Sequence, residues 1–164
     1  MLATLHRPSN VDLPDNLDRT LAVLEAVQAK RPVLFPVHPR TRERLQRLGR
    51  YARLVALPAL KCRPPLGYLD FMSALEDCAA VVTDSGGIQE EASYLEIPCF
   101  TLRPNTERPL TLTHGTNRLL PFDPAAVVGM LDERRATRLP ADLAFLWDGR
   151  AAVRVAERLE QVSR

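Results

Sequence analysis

Apolar residues are distributed along the chain in two alternating patterns. Short strand-like segments, some of them apolar on both faces as in Ala79-Ala80-Val81-Val82, occupy residues 2–6, 33–38, 54–57, 79–84, 99–103 and 117–120. Patterns or compositions that favour helices occupy residues 17–27, 40–48, 66–75, 88–95, 124–131 and 149–162. Residues 104–116 are polar and predict a loop.

Strands that alternate with helices and short connections predict a parallel sheet with helices on both faces. We therefore expect an α/β, Rossmann-like fold in which residues 1–164 form a single domain, since no internal repeat or low-complexity linker interrupts the chain. The last predicted helix is amphipathic, with Val153, Ala156 and Leu159 on one side.

Two helix starts carry local signals. Asp12 or Asp15 could cap the first long helix, in which Pro14 suits the first turn. Asp123 and Pro124 form a similar pair of N-cap and first-turn residues.

Composition and charge narrow the function classes. The 164 residues are 46% hydrophobic with a net charge of +2, which excludes a disordered chain. Basic residues are interleaved with acidic ones, so a nucleic-acid partner gains no support. No apolar run approaches a membrane span and the first residues lack signal-peptide features, so we expect no membrane association and a cytoplasmic location. Cys62, Cys78 and Cys99 have no C-x-x-C spacing and are interpreted as reduced structural thiols.

Four polar groups follow predicted strands. They are His6-Arg7, His38, the Ser85-Gly86-Gly87 turn and residues 103–108. Ligands of open parallel sheets bind at the carboxyl ends of the strands, where all four groups should lie. We therefore expect one ligand site at this edge.

The glycine turn predicts an anion site. Gly86 and Gly87 would let backbone approach a ligand, and the following helix start offers unpaired N–H groups to a phosphate or diphosphate. Glu91, about one turn further along, could reach ribose hydroxyls. In the alternative interpretation Ser85-Gly86-Gly87 is only a tight turn, and Glu90 and Glu91 complement the helix dipole.

The cationic candidates also allow two interpretations. Arg108 could neutralise a diphosphate in bidentate fashion, or be a solvated loop residue. His6 and His38 could donate to phosphate or transfer protons, or be hydrogen-bonded structural residues at strand ends. The five arginines among residues 40–50 are typical of a solvated helix face. No metal-ligand spacing is present in the sequence, and its order supports no Ser-His-Asp arrangement.

Several longer motifs carry a resemblance. They are TLHRPSNVD at 4–12, PVHPR at 36–40, PLGYLDF at 65–71, TDSGGIQEEA at 83–92, TERP at 106–109 and GTNRL at 115–119. In content and order these motifs resemble the C-terminal half of the non-hydrolysing UDP-N-acetylglucosamine 2-epimerases. That family has a GT-B-like fold of two Rossmann-like domains with the active site between them.

The resemblance implies an activity. The family interconverts UDP-N-acetylglucosamine and UDP-N-acetylmannosamine for surface polysaccharide synthesis, by eliminating UDP to a glycal and adding it back with C2 inverted. This chemistry requires no nicotinamide, metal or other cofactor. By the same resemblance Ser85, Gly86 and Gly87 would hold the diphosphate, Glu91 the ribose hydroxyls, and Arg108 would also bind UDP.

The remaining roles come from the same motifs. Phe71 would lie against the uracil, and His6 would be catalytic by contacting the diphosphate and stabilising departing UDP. Arg7 and His38 match a second, regulatory UDP-sugar site of some members. Ser9 departs from the family, many members of which have Glu at this position of the HRxEN stretch.

The resemblance also limits the prediction. The family's acidic residues for proton transfer at C2 belong mainly to its N-terminal domain, so we expect this chain to bind UDP but to be inactive alone. Its expected partners are a UDP-sugar, a separate N-terminal domain and a second copy in a homodimer. The alternative functions are a noncatalytic nucleotide-sugar-binding module and, less supported by the motifs, a hydrolysing epimerase or a GT-B glycosyltransferase.

Overall fold

A computed structural model describes residues 1–131 and 147–162 of the chain. The strands are Leu2–Thr4 (β1), Val33–Pro36 (β2), Leu60–Arg63 (β3), Val81–Thr83 (β4), Cys99–Leu102 (β5) and Asn117–Leu120 (β6). The helices are Pro8–Val11 (α1), Pro14–Gln28 (α2), Pro39–Arg47 (α3), Tyr51–Val55 (α4), Tyr68–Glu76 (α5), Gly86–Tyr94 (α6), Pro109–Thr113 (α7), Pro124–Leu131 (α8) and Ala151–Val162 (α9).

The strands form one parallel sheet in the order β3-β2-β1-β4-β5-β6. The chain runs outward from β1 to β3 and then returns to place β4 against the other side of β1. Such a reversal opens a crevice beyond the carboxyl ends of the two central strands. Thr4 pairs with Thr83 in register, so the residues that follow these strands lie at the same edge.

Successive strand residues belong to two apolar layers on opposite faces of the sheet, as expected for a sheet covered by helices on both faces. Ala3, Val82 and Phe100 belong to the larger cluster, which includes the buried hydrophobic residues of α2, α3 and α8. Leu2 and Val81, one position earlier in their strands, belong to a smaller cluster formed with α5 and α6. The predicted α/β, Rossmann-like fold class is confirmed.

The predicted strand at 54–57 is wrong. Residues 51–55 form α4, in which Leu54 is the buried position, and the third strand is Leu60–Arg63. This strand lies at the edge of the sheet and carries the exposed side chains of Lys61 and Arg63. Polar side chains on an edge strand weaken the apolar signal by which buried strands are recognised.

Two helix starts differ in outcome. Asp123 caps α8, because its Oδ1 accepts from the Ala125 N–H at 3.0 Å. The proposed cap of α2 is wrong, since Leu13 occupies the N-cap position and no side chain bonds there, although Pro14 does start the helix. Asp12 instead binds Arg40 and Arg44 of α3.

Two short helices were not predicted from the sequence. Helix α1 lies between β1 and α2, and α7 occupies part of the 104–116 stretch predicted to be a loop. Helices of four or five residues carry too few positions to show a periodicity.

Helix α9 confirms the predicted terminal helix and buries none of its residues. Val153 is 46% exposed and Leu159 is 62% exposed. Within residues 1–131 and 147–162, no helix is both long and apolar enough to cross a membrane.

The cysteines are free thiols. Cys99 is fully buried, and burial raises its pKa to about 12. Cys62 and Cys78 are partly buried, and burial raises the pKa of each as well.

Candidate functional site

The loop after β1 is held by a buried carboxylate from the neighbouring strand β4. Asp84 is fully buried and directly follows β4. Its Oδ2 accepts from the backbone N–H groups of His6 at 2.9 Å and Arg7 at 2.8 Å, and from Asn10 Nδ2 at 2.9 Å. Its Oδ1 lies 3.1 Å from His6 Nδ1. One carboxylate therefore orders both ends of the His6–Asn10 segment.

The charge of Asp84 is maintained by these donors. Burial by itself raises the pKa of a carboxyl group, but the hydrogen bond from the His6 side chain and those from backbone N–H groups outweigh it, and the pKa of Asp84 is lowered. Arg7 adds a hydrogen bond from Nε to the Asp84 carbonyl oxygen at 3.0 Å.

His38 lies beside this loop at the start of α3. Its Nδ1 accepts from the Arg40 N–H at 3.2 Å, which caps the helix. Its ring centroid lies 5.1 Å from that of His6. The pKa of His38 is lowered, mainly because the ring is partly desolvated and next because of the charge interaction with His6. The structure thus brings His6, Arg7 and His38 together.

The glycine turn begins α6 at the same sheet edge. Ser85 is the N-cap residue, and its N–H donates to Thr83 Oγ1 at 3.0 Å. A Cβ at Gly86 would lie 2.5 Å from Glu107 Oε1, so a larger residue there would displace the end of the Glu107 side chain. Among the residues that the structure describes, none has an atom within 4 Å of a Cβ built at Gly87. These residues leave open space beside Gly87, at a helix start whose first N–H groups lack intrahelical acceptors.

Charged side chains join the 103–108 loop to the β1 loop. Arg103 is buried and donates from Nη2 to Glu107 Oε2 at 2.7 Å. The other oxygen of Glu107 lies 3.5 Å from Arg7 Nη2. The pKa of Glu107 is lowered to about 2, mainly by the hydrogen bond from the Arg103 side chain and next by one from the backbone N–H of Glu107 itself. The sequence-based prediction placed residues 103–108 at this edge but gave Arg103 and Glu107 no individual role.

Arg108 is held more loosely. Its Nη1 lies 3.4 Å from Glu90 Oε1 on α6, and the two side chains are 43% and 39% exposed. Exposed ion pairs of this kind are weak, so an anion could draw the guanidinium away. Glu91 follows Glu90 on the helix; burial, and then the charge of Glu90, raise its pKa.

A buried polar network fixes α6 to the 103–108 loop. Gln89 is fully buried and donates from Nε2 to the Ser85 carbonyl oxygen at 3.1 Å. Its Oε1 accepts from Thr106 Oγ1 at 2.6 Å and from Asn117 Nδ2 at 2.9 Å. Gln89 and Thr106 lie within the quoted motifs, yet a helical glutamine gives no sequence signal that separates a buried hub from a solvated side chain.

Phe71 lies apart from these polar contacts. It is on α5 and packs, partly buried, against the smaller apolar cluster. Ile88, in the first turn of α6, packs against the same cluster. Phe71 and Ile88 therefore share one apolar cluster, which α5 and α6 cover together.

The largest omission from the sequence-based prediction is Asp84. The available signal was a carboxylate directly after a fully apolar strand, since a buried carboxylate needs several donors from neighbouring segments. Among the residues that the structure describes, no group of three or more His, Cys, Asp or Glu side chains could hold a metal ion.

Comparison with known proteins adds independent findings. Residues 1–160 match the family model described as UDP-N-acetylglucosamine 2-epimerase. A UDP-N-acetylglucosamine 2-epimerase of Methanococcus maripaludis is 37% identical over 134 residues, which cover 80% of this chain and 37% of that protein. A UDP-2,3-diacetamido-2,3-dideoxy-D-glucuronate 2-epimerase of Pseudomonas aeruginosa is 34% identical, over 99% of this chain and 44% of that protein.

The fold has counterparts among solved structures. The Methanocaldococcus jannaschii UDP-GlcNAc 2-epimerase, solved in complex with UDP-GlcNAc and UDP, matches with a TM-score of 0.81 and 31% identity. That match covers 98% of this chain and 44% of the solved chain. The chain therefore spans less than half the length of the relatives it matches.

Proposed function

Because the chain belongs to the UDP-N-acetylglucosamine 2-epimerase family, we propose that it forms the UDP-binding half of an enzyme that inverts C2 of a UDP-linked amino sugar. The observation that supports this most directly is the open space beside Gly87 at the start of α6, next to the topological switch between β1 and β4. Helix starts at such switch points bind phosphate groups.

The UDP moiety would bind along α6. The Ser85-Gly86-Gly87 turn would hold the diphosphate, chiefly through the N–H groups of Gly86 and Gly87 in the first turn of α6. Arg108 would leave Glu90 and donate to the same phosphate oxygens, which bind a guanidinium more strongly than an exposed carboxylate does. Glu91 would accept hydrogen bonds from the ribose hydroxyls.

Other residues would bind the two ends of the ligand. Phe71 would stack against the uracil ring. His6 would lie at the diphosphate, where charge develops as the bond from C1 of the sugar to the phosphate oxygen breaks. Arg7 and His38, which lie beside His6, would serve a second, regulatory UDP-sugar site of the kind that some members of the family have.

The reaction needs a group that this half does not supply. Elimination removes the proton from C2, forms the C1–C2 double bond and leaves the C1–O electron pair on UDP; re-addition reverses these steps with the proton returned to the opposite face of C2. The base that removes the proton must lie within hydrogen-bond reach of it. We propose that the other half of the fold carries that base, so this chain alone binds UDP without epimerising it.

Calorimetry with UDP tests the binding step. We expect measurable binding by the chain and a loss of about tenfold or more in affinity for Arg108→Ala, equivalent to about 1.4 kcal/mol. Arg47→Ala is the matched control, because it removes the same charge from an exposed position at the far end of α3. No UDP binding, or equal affinities for the Arg108 and Arg47 variants, would contradict the proposal.

Product analysis tests the catalytic step. The chain should leave UDP-N-acetylglucosamine unchanged by itself and give UDP-N-acetylmannosamine after addition of a polypeptide that supplies the missing half. Epimerisation by the chain alone would overturn the claim that it is incomplete. UDP binding without epimerisation in the complemented system would favour a noncatalytic nucleotide-sugar-binding module, and release of free sugar would indicate a hydrolysing enzyme.

The sugar requires a separate experiment. Both an N-acetylglucosamine and a diacetamido-glucuronate epimerase are more than 30% identical to this chain. We propose UDP-N-acetylglucosamine, the substrate named for the family. Assaying the complemented system with each UDP-sugar would decide between them.

A further inference from the structure

We propose that Asp84 is a positioning residue for His6, which holds the imidazole in the tautomer protonated on Nδ1 and so leaves Nε2 as the nitrogen that meets the ligand. The identity of the ligand, UDP, rests on the proposed function. The tautomer of His6 rests only on the contacts between Asp84 and His6 in this chain.

The two oxygens of Asp84 have different partners. Oδ2 accepts from three donors, the N–H groups of His6 and Arg7 and the side chain of Asn10. Oδ1 faces His6, with Nδ1 at 3.1 Å and the backbone N–H of the same residue also at 3.1 Å. An ionised carboxylate only accepts hydrogen bonds, so His6 Nδ1 must carry the proton.

The tautomer of His6 matters because the imidazole is partly exposed and can contact a ligand. Asp84 is fully buried, whereas the His6 side chain is 34% exposed. The carboxylate therefore holds one nitrogen from inside the protein, while part of the ring stays accessible at the sheet edge where β1 and β4 end. When the imidazole is protonated, Nε2–H can donate to a phosphate oxygen as UDP departs, and Asp84 stabilises the imidazolium, as the aspartate does in a Ser-His-Asp triad.

The substitution Asp84→Asn makes a specific prediction. The amide has one acceptor oxygen, and three donors converge on the position of Oδ2. The oxygen should occupy that position and place the NH₂ group against His6 Nδ1. An amide donor facing Nδ1 requires that nitrogen to be unprotonated, so the neutral ring should switch to the Nε2–H tautomer.

The chain contains an internal reference for this state. His38 Nδ1 accepts a hydrogen bond from the Arg40 N–H, which makes its neutral form the Nε2–H tautomer. The wild-type chain should therefore contain His6 and His38 in opposite tautomers, only 5.1 Å apart between ring centroids.

The experiment is ¹⁵N NMR of the imidazoles in the ligand-free chain at pH 8, above the ordinary histidine pKa of about 6.5. A His6→Gln spectrum assigns the His6 signals. In the wild type the unprotonated nitrogen should be Nε2 for His6 and Nδ1 for His38. In Asp84→Asn the His6 pattern should become that of His38. An Nε2–H tautomer for His6 in the wild type would overturn the proposal, whether or not any variant folds.

Asn10→Ala is the matched control. It removes a donor to the same carboxylate without touching the contact to the imidazole. We expect a lower melting temperature with the His6 tautomer unchanged. If Asn10→Ala also switched the tautomer, general loosening of the loop would explain the effect and the specific role of Asp84 would be lost. Because this measurement contains no UDP, its outcome is independent of the calorimetric test of the proposed function.

Discussion

The two sides of the candidate site are built differently. On the β1 side, Asp84 holds His6, Arg7 and Asn10 with hydrogen bonds of 2.8–3.1 Å around a fully buried carboxylate. On the α6 side, Arg108 faces Glu90 across 3.4 Å with both side chains about two-fifths exposed. The first side is ordered before any ligand arrives, whereas the second can rearrange around one. This difference suits a site in which His6 must be placed accurately while Arg108 adjusts its position to neutralise the charge of a ligand.

The largest expected effect tests the ordered side. Asp84→Ala leaves four donor groups without their acceptor: the backbone N–H groups of His6 and Arg7, Asn10 Nδ2 and His6 Nδ1. We expect it to lower the free energy of unfolding by about 3–5 kcal/mol. Glu90→Ala, which removes a carboxylate from an exposed pair, should change it by no more than about 1 kcal/mol. Thermal and urea unfolding of both variants would measure the difference, and equal losses would remove the basis of the comparison.

The next effect concerns the space beside Gly87. Gly87→Ala should lower UDP affinity about tenfold or more while leaving the melting temperature near that of the wild type. The added Cβ would meet the proposed diphosphate but no atom of the described residues within 4 Å. Gly129→Ala on α8 is the control, since its Cβ likewise has no described residue within 4 Å. It should leave UDP affinity unchanged. A stable Gly87→Ala variant with full affinity would show that the diphosphate does not approach this backbone.

A smaller effect should accompany release of Arg108 from its partner. Glu90→Gln removes the pairing charge and a negative charge from the helix that would bind the diphosphate. We expect UDP affinity to rise by a few-fold, within about 1 kcal/mol. Calorimetry at low salt measures it, and a fall in affinity would indicate that Glu90 orients Arg108 and does not compete for it.

The smallest effect is on pH dependence. The pKa of Glu107 is lowered to about 2, chiefly by the hydrogen bond from Arg103. A carboxyl group with a lowered pKa in the folded state contributes its stability above its ordinary pKa, and that contribution is lost as the pH falls from about 4.5 towards 2. A ¹³C NMR titration should find Glu107 mostly ionised at pH 3. A midpoint near the ordinary value would mean that Arg103 does not hold this carboxylate in solution.

Sequence patterns predicted most of the sheet because most strands are buried. Runs such as Val81–Thr83 and Cys99–Leu102 are covered on both faces and leave few alternatives. The edge strand Leu60–Arg63 was missed because its polar side chains resemble those of a loop. The same limit applies to α1 and α7, which are too short for a periodic signal.

The candidate site was predicted to a similar degree. Topology alone places His6, His38 and the Ser85 turn at one edge, because parallel strands end there together. The partners of these residues were not predictable, since Asp84 meets Asn10 across 74 positions of sequence. Long-range hydrogen bonds of this kind depend on register and burial, which no local pattern encodes.

The edge strand β3 has a second consequence. Backbone groups at a sheet edge can pair with a strand from another molecule, and charged side chains there oppose such pairing. Lys61 and Arg63 are both exposed on β3. The polar side chains of Lys61 and Arg63 are the reason that β3 was not predicted as a strand. The same two charges oppose the addition of a strand from another molecule at this edge of the sheet.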